Sequence, residues 1–127
     1  MKTLTLENIV EIHVLVLKQT GGGEGLRDLG RLESVVASQR QVVFGKELYE
    51  TIHDKAAALC RGIIADHPFV DGNKRSAMLV ATTLLAINGY DFVAQKGELE
   101  DFAVQVAIER LDVPVIAAWL KAHGKKR

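Results

Sequence analysis

No charged side chain occurs in residues 76–87, which read Ser-Ala-Met-Leu-Val-Ala-Thr-Thr-Leu-Leu-Ala-Ile. This run is too long for an ordinary strand and too short for a membrane span. Its alanine, methionine and leucine residues favour a helix, and the Asn88-Gly89 pair that follows is a common C-terminal stop. A helix that is apolar on nearly every side is usually buried on nearly every side. We therefore predict that residues 73–88 form the central buried helix of the fold.

The segment before this helix is polar and charged, and residues 66–75 read Asp-His-Pro-Phe-Val-Asp-Gly-Asn-Lys-Arg. A helix N-terminus has backbone N–H groups without intrahelical partners and a partial positive charge, so it binds anions, most often phosphate. Gly72 allows the backbone to approach a ligand closely. Lys74 and Arg75 add positive charge, and arginine binds phosphate oxygens in a bidentate manner. These features predict a phosphate-binding site at the start of the central helix.

Two further side chains in this segment suggest a reaction. Histidine is the side chain whose charge changes nearest to neutral pH, so His67 is a natural proton acceptor from a hydroxyl group. Asp71 offers the hard oxygen ligand that Mg2+ takes beside phosphates. Each residue alone also fits ordinary loop chemistry, since Asp-Gly-Asn is a common turn and Lys74 and Arg75 could form a solvated helix edge. Their combination on an uncharged helix predicts phosphoryl or nucleotidyl transfer.

Residues 67–75 resemble the signature of the Fic/Doc superfamily, His-Pro-Phe-x-Asp/Glu-Gly-Asn-Gly/Lys-Arg. Lys74 stands where Fic enzymes have glycine and resembles the Doc, or death-on-curing, branch. Residues 21–34 resemble the N-terminal segment of that branch, and Lys55-Ala56-Ala57 and Asn88-Gly89 also fall where that branch has such residues. The resemblance spans nearly the whole chain. It implies an all-α fold, a Fic/Doc-type bundle of five to six helices around the central helix, with residues 1–124 as one domain.

The resemblance also implies an activity. Fic-type enzymes transfer AMP from ATP to a protein hydroxyl, whereas Doc-type toxins phosphorylate a translation elongation factor and are held inactive by a small antitoxin. The roles implied are general base for His67, Mg2+ ligand for Asp71, core anchor of the loop for Phe69, and phosphate contacts for Asn73, Lys74 and Arg75.

Three functions remain open from the sequence. Lys74 puts a side chain where glycine would leave room for an anion, which favours phosphoryl transfer from ATP by a toxin. Gly72 matches the Fic pattern, so AMP transfer is the alternative. A catalytically idle antitoxin-binding protein is a third possibility, and the intact His67, Asp71 and Arg75 argue against it.

Apolar residues at helical spacing predict five further helices, at about residues 5–18, 29–40, 53–65, 97–110 and 113–123. Residues 41–50 are the least helical part of the chain. Val42, Val43 and Phe44 favour a strand, and Gly45 follows them as a turn residue. Fic proteins carry a short hairpin near this position that docks the target protein by strand pairing. The segment is therefore either such a docking hairpin or a plain connecting loop.

The composition excludes several other classes of protein. The chain has 127 residues, with 16 basic and 16 acidic side chains, so it has room for one domain and no net charge to favour nucleic acid. Residues 125–127, Lys-Lys-Arg, are predicted to be a solvated, disordered tail. Cys60 is the only cysteine, which excludes an internal disulfide, and its apolar neighbours predict a core position. Without a signal peptide or a membrane span we expect a cytoplasmic protein; the oligomeric state stays undetermined.

Two N-terminal motifs have ordinary structural explanations. The segment Thr3-x-x-x-Glu7-Asn8 resembles a motif by which some Fic proteins inhibit themselves, but it coincides with the chemistry of a helix start. Residues 20–25, Thr-Gly-Gly-Gly-Glu-Gly, lack the Gly-Lys-Ser/Thr ending of a phosphate-binding P-loop and are predicted to form a turn. Arg27 is expected to have a structural role, such as pairing with an acid, rather than to reach the nucleotide.

Overall fold

The computed structural model describes residues 1–127, and most of them are helical. Its helices are α1 (Leu6–Thr20), α2 (Leu29–Ala37), α3 (Ile52–Asp66), α4 (Asn73–Ile87), α5 (Glu98–Glu109) and α6 (Val113–Ala122). Its strands are β1 (Val42–Val43), β2 (Lys46–Glu47), β3 (Tyr90–Phe92) and β4 (Gly124–Lys126). The prediction of an all-α fold with six helices is confirmed. None of these helices combines the length and the apolar character that crossing a membrane requires.

Helix α4 is the central element of the fold. It packs against α1, α3 and α5, and its residues Val80 and Leu84 have no exposed surface. The hydroxyl of Thr82, which lies on this mostly apolar helix, donates to the carbonyl of Met78 at 3.0 Å and is thereby satisfied. The predicted central helix at residues 73–88 is confirmed, and it ends at Ile87, one residue earlier than predicted.

Helices α1, α2 and α3 each begin at a side-chain cap. The side chains of Thr5, Asp28 and Thr51 each accept a backbone N–H at the starts of α1, α2 and α3. At α1 the side chain of Asn8 bonds back to the N–H of Thr5, which completes a reciprocal capping box. The segment around Glu7 is therefore accounted for as a helix start, at the opposite end of α1 from Thr20.

The predicted hairpin at residues 41–50 is present. Strands β1 and β2 pair antiparallel, with Val42 opposite Glu47, and Phe44 at the turn is fully exposed. A buried lysine, Lys55, ties the hairpin to the first turn of α3, because its Nζ donates to the carbonyl of Gln39 at 2.5 Å and to Oε1 of Glu47 at 3.0 Å. The hairpin therefore lies beside the N-terminal end of α3.

The prediction of a disordered basic tail is wrong. Residues Gly124–Lys126 form strand β4, which pairs antiparallel with β3, and the guanidinium of Arg127 contacts the carboxylate of Asp91 at 2.6 Å. The part of the prediction that concerned solvation holds, since the side chains of Lys125 and Lys126 are exposed. Backbone pairing does not depend on the side chains facing solvent, so an exposed basic segment can still be part of a sheet.

Candidate active site

The loop between α3 and α4 has an unusual backbone at both ends. His67 ends α3 in the left-handed conformation with φ of 48°, and Gly72 precedes α4 with φ of 74°. A left-handed conformation costs a residue other than glycine roughly 1–2 kcal/mol. The surrounding structure must therefore hold His67 in place, and several contacts do so.

Arg27 is the first of these contacts. Its Nε donates to the carbonyl of His67 at 2.7 Å, and its Nη2 donates to the carbonyl of Asp66 at 2.8 Å. Arg31 adds a second donor to the carbonyl of Asp66 at 2.9 Å. Two guanidinium groups thus satisfy the C-terminal carbonyls of α3 and complement the negative end of its dipole. The structural role expected for Arg27 is what the structure shows, with backbone carbonyls rather than an acid as its partners.

The segment before α2 fixes the other side of the loop. The N–H groups of Arg27 and Asp28 both donate to the carbonyl of Pro68, at 2.7 and 3.0 Å. The N–H of Val70 donates to the carbonyl of Gly25 at 3.1 Å. Residues 25–28 therefore bind the loop backbone on both sides of Phe69, and these bonds restrain the segment that follows His67.

Asn73 closes the loop from the inside. Its side-chain Oδ1 accepts the N–H of Phe69 at 3.1 Å, and its Nδ2 donates to the carbonyl of Phe69 at 3.0 Å. The Asn73 side chain is buried, so both ends of its amide are engaged in the loop. A phosphate contact through this side chain, which the family resemblance implies, is therefore not what the structure shows. The backbone N–H of Asn73 remains at the start of α4.

Phe69 and His13 form a stacked pair beneath the loop. Their ring centroids lie 3.8 Å apart with an interplanar angle of 5°, and both residues are buried. Nε2 of His13 bonds to the carbonyl of Asp71 at 2.8 Å, which makes Nε2 the protonated nitrogen because a carbonyl only accepts. Helix α1 thus supports the loop through packing and through one hydrogen bond.

A polar cavity of about 460 Å³ opens over the loop. It brings together His67, Asp71, Gly72, Lys74 and Arg75, the residues that the sequence suggested for catalysis, metal binding and phosphate binding. The imidazole of His67 and the cationic ends of Lys74 and Arg75 make no hydrogen bond or ion pair within the chain, so all three are available to a ligand. Its lining residues are Thr20, Gly21, Gly22, His67, Val70, Asp71, Gly72, Asn73, Lys74 and Arg75.

Residues 20–22 form one wall of the polar cavity. The sequence did not predict this, because the glycine-rich segment there indicates only a turn. Gly23 donates to Oδ2 of Asp71 at 3.4 Å, and a Cβ at Gly22 would lie 2.7 Å from the same oxygen. A side chain at Gly22 would therefore displace the Asp71 carboxylate. The only sequence signal for this wall was the resemblance of residues 21–34 to the Doc N-terminal segment.

Gly72 also has a conformational role in the loop. A Cβ there would lie 3.4 Å from Leu17 and 3.7 Å from Val16, both on α1. These are ordinary van der Waals distances, so it is the positive φ that favours glycine here, and the Gly72 backbone lines the cavity.

An apolar cavity of about 410 Å³ adjoins the polar one and shares Thr20, Lys74 and Arg75 with it. It lies between α1, α4 and α5. Its other lining residues are Val16, Gln19, Met78, Leu79, Leu99, Glu100, Ala103 and Val104. A polar chamber at a helix N-terminus that continues into an apolar chamber matches a ligand with an anionic end and a flat apolar end.

Asp71 is the one acidic residue of the polar cavity. Oδ1 of Asp71 accepts the N–H of Gly72 at 2.8 Å, and nowhere do three or more His, Cys, Asp or Glu side chains group as a metal cluster. Mg2+ is commonly held by one or two carboxylates together with water and substrate phosphates. The single carboxylate therefore fits Mg2+ that arrives with a nucleotide, and does not fit an ion held by protein ligands alone.

The hairpin residues Val42, Val43 and Phe44 line neither the polar nor the apolar cavity, and their docking of a target stays a prediction. The hairpin contacts Lys55 in the first turns of α3, whereas His67 follows the last turn of that helix. At the rise of an α-helix these two residues are roughly 18 Å apart.

Comparison with known proteins agrees with the loop and the fold. The model of the Fic/DOC family matches residues 3–85. A protein of Mycolicibacterium smegmatis named "Toxin Doc" is 40% identical over 102 residues, which cover 79% of this chain and 78% of that protein. A protein of Escherichia phage P1 named "Protein kinase doc" is 30% identical over 124 residues, which cover 95% of this chain and 94% of that protein.

Proposed function

The chain belongs to the Fic/DOC family, and we propose that it is the toxin of a toxin–antitoxin module that transfers the γ-phosphoryl group of ATP to a hydroxyl of a target protein. The observation that carries this proposal is the polar cavity, where His67, Asp71 and the N-terminus of α4 line one space. The similar proteins named "Toxin Doc" and "Protein kinase doc" support the toxin and the kinase parts of the proposal respectively.

The phosphates of ATP bind at the N-terminus of α4. The backbone N–H groups of Asn73 and Lys74 and the side chains of Lys74 and Arg75 provide donors and positive charge for the phosphate oxygens. The adenine base fits the adjoining apolar cavity, because Lys74 and Arg75 line both chambers. When bound, Mg2+ reduces the negative charge on the phosphate oxygens, and Asp71 is the residue that would hold it.

In the transfer step the target's hydroxyl oxygen bonds to the γ-phosphorus while the bond from that phosphorus to the β,γ-bridging oxygen breaks. ADP leaves with this oxygen, and a ring nitrogen of His67 accepts the hydroxyl proton. The free imidazole of His67 and its fixed backbone suit this role, because a base must be within hydrogen-bond reach of the proton that it removes.

Transfer of the γ-phosphoryl group rather than AMP is supported by Lys74. Lys74 follows the first residue of α4, where Fic enzymes have glycine, and it lines the polar cavity. We infer that Lys74 changes the placement of the nucleotide so that the γ-phosphate lies nearest His67. AMP transfer remains the second candidate, because Gly72 and Asn73 match the Fic pattern.

The partners follow from the same assignment. The target is a translation elongation factor, so the enzyme works in the cytoplasm and arrests translation, and an antitoxin made alongside keeps it inactive. Expression of the chain without antitoxin should stop bacterial growth, and a His67→Ala variant that still binds the antitoxin should not.

The decisive experiment uses two preparations of ATP, one labelled at the γ- and one at the α-phosphate. Antitoxin-free protein is incubated with cell lysate and Mg2+, and labelled proteins are separated by size. Label from γ alone on one protein band is the expected result. Label from α would mean AMP transfer and would overturn the kinase assignment. Label from neither would leave an idle antitoxin-binding protein.

The matched controls are two histidine variants. His67→Ala removes the proposed base and should abolish labelling. His53→Gln changes a half-buried histidine at the other end of α3, which packs edge-on against Tyr90 outside the polar cavity, and labelling should remain. Equal loss in both variants would argue that folding, not catalysis, was affected.

A further inference from the structure

A second cavity reaches His67 from a different direction. It has a volume of about 340 Å³ and lies between the C-terminal halves of α3 and α5, whereas the phosphate-binding cavity lies over α4 and the end of α1. His67 is the only residue that lines both. The lining residues of this second cavity are Arg61, Ile64, Ala65, His67, Val106, Ala107, Arg110 and Leu111.

The charged residues that line this cavity are all basic. Besides His67, its only ionisable lining residues are Arg61 and Arg110, and no acidic residue lines it. Arg110 forms no ion pair or side-chain hydrogen bond within the chain. Nε of Arg61 contacts Oδ1 of Asp112 at 3.4 Å, but these side chains are 49% and 74% exposed. Such an exposed pair is weak and is easily exchanged for another carboxylate.

The floor of the cavity is apolar, since Ile64 and Val106 are buried core residues and Leu111 packs against the core. Two arginines above an apolar floor suit a peptide segment that carries a carboxylate, because a guanidinium binds a carboxylate in a bidentate manner. Lys55, where the hairpin contacts α3, is roughly 18 Å along that helix from His67, whereas this cavity is lined by His67 itself.

We propose that this cavity receives the hydroxyl-bearing segment of the target protein and that Arg61 and Arg110 select a segment with an acidic residue beside the acceptor. This inference rests on the proposed function, in which ATP occupies the cavity over α4, so that the cavity between α3 and α5 is a second approach to His67. Arg61 lies six residues before His67, which is about 9 Å along the helix. At about 3.3 Å per extended residue, the acidic residue lies within roughly three positions of the acceptor.

The test is the rate of γ-label transfer to the lysate protein by an Arg61→Gln/Arg110→Gln double variant. At low lysate concentration the rate should fall about tenfold or more, and it should recover as lysate concentration rises. The dependence on ATP concentration should stay unchanged, because neither arginine lines the nucleotide cavities. Transfer at the wild-type rate across all lysate concentrations would overturn the inference.

The matched control is Lys125→Gln/Lys126→Gln, which removes two positive charges from β4, at the opposite end of α6 from Arg61 and its partner Asp112. This variant should label the target at the wild-type rate. If the double arginine variant fails to fold, Arg110→Gln alone provides the test, since Arg110 has no polar partner within the chain to lose. A rate reduced equally in the lysine variant would point to general charge attraction and would contradict a specific subsite.

Mapping the labelled residue gives an independent measurement. The modified serine or threonine should have an aspartate or glutamate within about three positions. A modified site flanked only by neutral or basic residues would overturn the inference and leave the kinase assignment intact. Absence of γ-label with the wild-type enzyme would instead refute the proposed function itself.

Discussion

The side-chain amide of Asn73 holds the backbone of Phe69 through two hydrogen bonds, accepting its N–H at 3.1 Å and donating to its carbonyl at 3.0 Å. This pair turns the loop between α3 and α4 into a closed unit, because the first residue of the central helix fixes the residue in the middle of the loop. The orientation of His67 therefore depends on a residue that does not touch substrate through its side chain.

Replacement of Asn73 by aspartate should weaken both stability and transfer. The change keeps the acceptor for the Phe69 N–H but replaces the donor to the Phe69 carbonyl with an oxygen that repels it. An unsatisfied buried carbonyl costs about 1–3 kcal/mol of unfolding free energy. Denaturant titration measures this loss, and the labelling assay should show a slower rate. Unchanged stability would mean that the amide does not hold the loop.

Gly72→Ala should destabilise the protein and weaken ATP binding. Alanine at φ of 74° costs roughly 1–2 kcal/mol, and its Cβ would contact Leu17 at 3.4 Å beside the cavity. Gly89→Ala is the matched control, because Gly89 has φ of 94° with nothing within 4 Å of its Cβ. Both variants should lower the free energy of unfolding, but calorimetry should find weaker ATP binding only for Gly72→Ala. Weaker binding in both would show that the effect is not local.

Arg27→Gln should lower the turnover rate more than it changes the KM for ATP. Arg27 holds the carbonyls of Asp66 and His67 and does not line the nucleotide cavity, so its loss displaces the base without removing a phosphate contact. Displacement of a catalytic group by about an ångström can reduce a rate by up to roughly 100-fold. Arg31→Gln, which removes a single bond to Asp66, should have a smaller effect. A larger loss of turnover in Arg31→Gln than in Arg27→Gln would contradict the role of Arg27 in positioning His67.

Ionised Glu98 should stabilise the fold at neutral pH, and this stabilisation should be lost in acid. The hydrogen bond from the backbone of Gln95 and, second, the one from the side chain of His123 lower the pKa of Glu98 from its ordinary value of 4.5. A lowered pKa contributes stability above pH 4.5, and this contribution is lost as the pH falls through the folded-state value. The Tm difference between wild type and Glu98→Gln should therefore shrink between pH 6 and pH 3. A constant difference would exclude the linkage.

The thiol of Cys60 should not react in the folded protein. Complete burial raises its pKa to about 12, and its Sγ lies 3.7 Å from the sulfur of Met78 in the core. The thiolate is the reactive form, so an aromatic disulfide reagent at pH 8 should label Cys60 only after unfolding. Rapid labelling under native conditions would mean that α3 opens locally at this point.

Local sequence predicted much of the fold and of the site. The uncharged run after Arg75 identified the buried helix, and apolar residues at helical spacing predicted the other five, because side-chain periodicity is set within a few neighbouring residues. The residues that line the polar cavity are mostly consecutive in the chain, so their chemistry was visible in the sequence. Because the helix N-terminus, the histidine and the carboxylate lie in one segment, their meeting in one cavity could be predicted from the sequence.

Long-range pairing was decided only by the tertiary structure. The bond from Arg27 to the carbonyl of His67 and the pairing of β4 with β3 join groups that are far apart in the chain, and their residue types would equally allow solvent exposure. The cavity between α3 and α5 is a further example, because Arg61 and Arg110 are 49 positions apart in the chain. A sequence determines which backbone and side-chain groups need partners, whereas the packing of the helices determines which partners lie within hydrogen-bonding distance.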